Sequence, residues 1–273
     1  VTYDPFRPSD LDALWEAENQ FWEALRPPDA RRITDHGWTI AEIPAHLARY
    51  HETVAVGVRS ACGAAAPGVA TLAVLARWDR ADAASRERSM RRFRDSQVAL
   101  REAATDLTAR LEIPWLAVRG CRTVLFALEY LFYHDWAHFA EVHMLVQGWL
   151  PGIPERITHN ALHFHMRLLA CALGAWPTPP APAQWSVHIG GLAGGYWRFS
   201  RAEPLWQVER VAAAEGEGAL VTDFAYPSVE TFVRNQWLTL RGIGGFRPRS
   251  PDTIRVWGEP PLDAEWPALL PED

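Results

Sequence analysis

Lysine is missing from this 273-residue chain, and all 27 basic residues are arginines. That removes a Schiff-base lysine and a Walker-type phosphate loop from the chemistry open to it. Cysteine is scarce: Cys62, Cys121 and Cys171 are odd in number, far apart and form no CxxC pair. They read as reduced thiols packed as small apolar side chains in a cytoplasmic protein. Positive charge is not in excess, since the formal charge is −6, and phosphate neutralisation needs a clustered cationic face. The one basic run holds Arg86, Arg88, Arg91, Arg92, Arg94 and Arg101, but Glu87 and Asp95 interrupt it and Asp82 and Glu102 flank it. It reads as a solvated helix face, and no nucleic-acid partner is expected. Long apolar runs are absent too. The window Val124 to Phe132 contains Glu129 and runs on into His134 and Asp135, so it is too short to span a bilayer. The start, VTYDPFRPSD, lacks the basic-then-apolar pattern of a secretory leader. A soluble protein with no membrane partner is expected.

What is present centres on Arg122–Gln147, RTVLFALEYLFYHDWAHFAEVHMLVQ. Leu125, Leu128, Leu131 and Leu145 recur at helical spacing with no Gly or Pro between them, which predicts one amphipathic helix ~39 Å long. Its buried stripe carries His134 and His138. Residues four apart on a helix share a face, so two imidazoles can reach one metal ion. The alternative is a pair of core histidines with ordinary hydrogen-bond partners. A third ligand candidate, His46, lies one turn before Tyr50 in a second helix. That helix starts at a capping box of Thr39 and Glu42, has Trp38 placed to staple onto Ile43, and runs to about Cys62.

Two further helices are expected, from Ser9 to about Leu25 and from about Asp82 to Leu111, completing a bundle of four antiparallel helices. Another, Pro154 to Leu173, carries His159, His163 and His165 and reads as a surface or interdomain helix. The run GAWPTPPAPAQ reads as a stiff linker. It divides residues 1–175 from residues 184–273, where SVHIGG, GYWRFS, WQVERVA, ALVTDFAY and TIRVWGE suggest strands. Helices are expected there near Ser228–Leu240 and Asp263–Leu270, giving a smaller α+β domain after the helical one. Trp38, Trp115 and Trp136 are expected to fill the core.

GWTIAEIPAHLARYH and HDWAHFAEV resemble the DinB-like superfamily of four-helix-bundle metalloproteins. There one His from the second helix and an HxxxH pair from the fourth bind a divalent metal, and the matching positions here are His46, His134 and His138. The C-terminal part, with VETFVRNQWLTLRG and IRVWGE, is similar to the sterol-carrier-protein-like domain of mycothiol-dependent maleylpyruvate isomerases. Two departures stand out. Isomerase-type members can carry Glu where this chain has His134, and they tend to read Gly-Arg and Gly-Asp where this chain has Leu240-Arg241-Gly242 and Gly258-Glu259.

Three imidazoles leave a tetrahedral ion one open position, which can take water or a thiol held as thiolate. Zn²⁺ is the default ion, with Ni²⁺ and Fe²⁺ also suited to imidazole. Asp135 and Glu141 adjoin the pair and are candidates to orient a ligand's second nitrogen. The resemblance implies a metal-dependent enzyme using a low-molecular-weight thiol such as mycothiol. Such an enzyme would either isomerise maleylpyruvate-type compounds or transfer the thiol to an electrophile. Arg234 and Arg241, seven apart on the C-terminal helix, are the candidate catalytic cations for an acidic substrate or the thiol's polar portion. The rivals are a non-catalytic metal-containing module that binds an apolar ligand, and a metal-assisted hydrolase. The expected partners are the thiol and its electrophile, with the protein a monomer or a homodimer.

Overall fold

The structure is a computed structural model that describes residues 4–34, 38–63, 85–111, 123–174, 184–202, 205–211 and 224–234. Two compact units are present: Arg7–Val142, and the described residues from His143 onward together with residues 4–6.

The first unit is helical. Helix α1 (Pro8–Ala24) opens one residue before the expected cap, with Asp10 folding back to accept from the Arg7 N–H at 3.1 Å. A short helix α2 (Pro27–Ala30) follows. The Thr39–Glu42 capping box forms as expected: Glu42 Oε2 accepts from the Thr39 N–H at 2.6 Å and from Thr39 Oγ1 at 2.9 Å. A 3₁₀ turn (Ile40–Glu42) leads from it into α3 (Ile43–Ala61), with Pro44 near the start, where its missing N–H costs least. Helix α4 (Arg86–Ala103) is capped by Ser85. It stops well short of Leu111 because Asp106 turns its carboxylate onto the Thr108 N–H at 2.9 Å, a local turn that competes with the helix. Helix α5 (Val124–Gln147) is the long one. Of the expected core tryptophans, Trp38 and Trp136 are buried and Trp115 lies outside the described residues.

Side-chain pairings set the helix directions. Asp12, Asn19 and Glu23 of α1 meet Arg101, Gln97 and Arg94 of α4, so these two run antiparallel. Trp15 and Phe21 of α1 meet Asp135 and Phe139 of α5, so that pair runs parallel. His46 meets both His134 and His138 while Tyr50 lies on His134, so α3 opposes α5. It follows that α3 and α4 point the same way, where strict alternation was expected. The consequence for the site is that α3 and α5 are neighbours.

In the second unit, β1 (Gln184–Ile189), β2 (Gly195–Ala202), β3 (Leu205–Val211) and β4 (Phe224–Tyr226) form one mixed sheet in the order β3-β2-β1-β4. Strands β1–β2 and β2–β3 are antiparallel, and β1–β4 is parallel. Val187, Ile189, Trp197 and Phe199 alternate inward. The β1–β2 turn needs its glycines, since Gly191 has φ +91° and a Cβ on Gly194 would lie 2.0 Å from the Ile189 carbonyl oxygen. Helix α6 (Glu155–Gly174) belongs to this unit and packs against β2 and β3. A short helix α7 (Val229–Val233) is capped by Ser228. The expected class, helices followed by α+β, is therefore what the chain forms. The expected strand at TIRVWGE and the terminal helix lie outside the described residues, as does the linker across 175–183.

Candidate metal centre

Helix α3 brings His46, and one face of α5 brings His134 and His138, to a common point. Nε2 of His46 lies 3.2 Å from Nε2 of His134, and the ligand nitrogens of all three rings fall within 4.8 Å of one another. Tetrahedral Zn–N bonds of about 2.0–2.1 Å put ligand nitrogens ~3.4 Å apart. The 3.2 Å pair already has that spacing, and the third ring's ligand nitrogen lies within 4.8 Å of both. The three rings stand steeply to one another, at 52°, 78° and 89°, with centroids 4.8–5.1 Å apart. His46 and His138 are buried, while the His134 side chain is 12% exposed and marks the accessible side. Trp38 lies 4.4 Å from the His46 ring and Tyr50 4.4 Å from the His134 ring, so aromatic surface walls the cluster. Among the described residues no carboxylate or thiol joins this group. The donor set is three imidazoles, which suits a borderline divalent cation.

The two neighbouring acids behave differently. Glu141 Oε2 stands 3.6 Å from His138 Nδ1, close enough to steer that ring electrostatically. Asp135 Oδ1 is 3.9 Å from His134 Nδ1, beyond hydrogen-bond reach. Its carboxylate is taken up elsewhere: it accepts from Trp15 Nε1 at 2.7 Å and faces His51 Nε2 at 2.8 Å. His51 Nδ1 in turn meets Ser96 Oγ at 3.1 Å, and Ser96 Oγ donates to the Phe93 carbonyl at 2.7 Å. His51 thus links the Asp135 carboxylate to the Ser96 hydroxyl. Beside Asp135, Glu18 is fully buried and neither oxygen has a hydrogen-bond partner among the described residues. Burial first, and then the charge of Asp135, hold its carboxyl well above the usual range. Sequence reasoning missed this group. The signal was there in Glu18, an acid on the apolar stripe Leu11, Leu14, Trp15, Trp22.

Four arginines of the basic run of α4 make structural contacts. Arg86 donates to the Trp22 carbonyl, Arg92 pairs bidentately with Glu52 at 2.6 Å, Arg94 pairs with Glu23, and Arg101 with Asp12. These contacts tie α4 to α1 and α3. The histidines of α6 gather no metal-binding group among the described residues. His159 Nδ1 donates to the Gly194 carbonyl at 2.9 Å, and His163 Nδ1 accepts from Trp197 Nε1 at 3.2 Å. Burial, helped by the charge of Arg210, pushes them down to about 4 and about 3, so both rings are neutral. Arg234 is exposed and donates to the Gly148 carbonyl at 2.9 Å within the second unit. Arg241 lies outside the described residues.

Residues 10–142 match the model of the DinB superfamily. They form a DinB superfamily domain. No curated protein matches the chain, and no solved structure does. The DinB match covers all three clustered histidines together with Trp15, Glu18, His51 and Asp135. It is a match to the superfamily and carries no thiol or substrate specificity. Among the described residues no helix is long and apolar enough to cross a membrane.

Proposed function

We propose that this chain is a metal-dependent enzyme in which His46, His134 and His138 hold a divalent cation, most simply Zn²⁺, and a low-molecular-weight thiol is cofactor or co-substrate. The observation that carries the reading is the convergence of three imidazoles, and no fourth ligand among the described residues, on one point of the DinB domain. Three neutral donors leave the full double charge of the ion uncompensated, which favours an anion in the remaining position. A divalent cation there holds a bound thiol as thiolate at neutral pH. The three histidines fix the site, His134 opens it to solvent, and Trp38 and Tyr50 limit water around it.

The resemblance to mycothiol-dependent isomerases supports mycothiol as the thiol. It also supports either isomerisation of maleylpyruvate-type compounds or transfer of the thiol to an electrophile. Arg234 and Arg241 are the cations proposed to receive the acidic substrate or the thiol's polar portion. The test is turnover of the metal-loaded protein on maleylpyruvate and on a simple alkylating electrophile, with and without mycothiol. Thiol-dependent turnover of either is the expected result. Stoichiometric metal with no thiol-dependent turnover of any electrophile would make the domain a non-catalytic binding module instead.

A further inference from the structure

The geometry points to Asp135 as the positioning residue of the metal centre, acting through a buried clasp with Trp15 and His51 and making no contact with the ion. This rests on the three-histidine reading above and adds how those rings come to be aimed. Asp135 follows His134 directly on α5, and its carboxylate is gripped from two other helices, by Trp15 of α1 at 2.7 Å and His51 of α3 at 2.8 Å. Both His51 and Asp135 side chains are completely buried. The far end of the clasp is anchored on α4, where Ser96 meets His51. The four long helices described in the DinB domain therefore share one chain of hydrogen bonds whose centre adjoins a ligand.

Adjacent side chains on a helix stand ~100° apart. Fixing the direction of Asp135 from two sides therefore fixes the rotation of α5 about its axis, and with it the directions of His134 and His138. The magnitude decides that this matters. At ~6 Å from the axis, a rotation of roughly 20° would carry a ligand nitrogen ~2 Å sideways. Metal–ligand distances tolerate only about 0.2 Å. A buried carboxylate with two donors at under 3 Å cannot turn without leaving charge unpaired. His46 comes from α3, the same helix that supplies His51, so the clasp also sets α3 against α5.

The test is zinc affinity by competition with a chromophoric chelator, together with the visible spectrum of the Co²⁺-loaded protein. It compares wild type, Asp135→Asn, Trp15→Phe and Leu100→Ala. Leu100 is fully buried on α4 and serves as a core variant outside the clasp. Asp135→Asn is expected to weaken zinc binding 10- to 100-fold and to alter the Co²⁺ bands. Trp15→Phe removes one donor and keeps a ring, so a smaller loss in the same direction is expected. Leu100→Ala should lower stability without changing either readout. If Asp135→Asn fails to fold, Trp15→Phe still decides the matter. Wild-type affinity and an unchanged Co²⁺ spectrum in the clasp variants would overturn the positioning role while leaving the metal site standing. No zinc binding by wild type would overturn both.

Discussion

Removing one imidazole separates metal binding from ordinary core packing. His46 is completely buried among Trp38, Tyr50, His134 and His138. His46→Ala therefore opens a cavity, and large-to-small changes of this size cost about 2–4 kcal/mol in the metal-free protein. Zinc at 100 times its dissociation constant adds about 2.7 kcal/mol to the stability of a protein that binds it only when folded. At about 2–4 °C per kcal/mol for a chain of this size, wild type should gain ~5–11 °C in melting temperature. The variant has two of three ligands and should gain little. Four thermal melts followed by helical circular dichroism, wild type and variant with and without zinc, give the difference of differences, from which the cavity cost cancels. Equal gains in both proteins would refute the assignment of His46, because the ion would then be held somewhere that does not need it.

Glu18→Gln should flatten the dependence of stability on pH. The folded-state carboxyl sits above its unfolded value, so the unfolded chain gives up a proton that the folded chain keeps. Wild-type stability should then fall as pH rises from about 4.5 toward the raised value. Urea melts at pH 5 and pH 8 should show the variant gaining on wild type at the higher pH, and parallel behaviour would remove the buried-acid assignment. The histidines of α6 act in the opposite sense. With folded values of about 4 and about 3, His159 and His163 contribute stability that is full above about pH 6.5 and lost as pH falls toward 4. Their imidazole proton resonances should hold neutral-ring positions down to pH 5, and titration of either near 6.5 would contradict this. Arg92→Ala breaks a bidentate but partly exposed pair with Glu52. The expected cost is on the order of 1 kcal/mol in urea melts, with zinc affinity unchanged.

The parts of this molecule legible in the sequence are those set by local spacing. The capping box at Thr39 and Glu42 fixes where the second long helix starts, and so which face His46 occupies. The four-residue step from His134 to His138 fixes their common face. Arg92, Arg94 and Arg101 of α4 pair with acids of α3 and α1 and brace it between those helices. The clasp was not legible. Trp15, His51 and Asp135 meet only because α1 runs parallel to α5 and α3 runs against it, a register set by packing across the whole bundle. Spacing suggested Asp135 as a partner for the ring beside it, but helix geometry turns it ~100° away, toward the core. A helical pattern continues in the sequence through Leu107, but α4 ends at Ala103 because Asp106 bonds its own turn.

The central claim is that three imidazoles from two helices hold one cation and leave room for sulfur. X-ray absorption at the zinc edge, on protein loaded with one equivalent and then given mycothiol, tests it most directly. The expected spectrum has an imidazole shell from three nitrogens at about 2.0–2.1 Å, joined on adding the thiol by one sulfur at about 2.3 Å. A fourth protein ligand with no sulfur after thiol addition, or an ion without the imidazole shell, would contradict it.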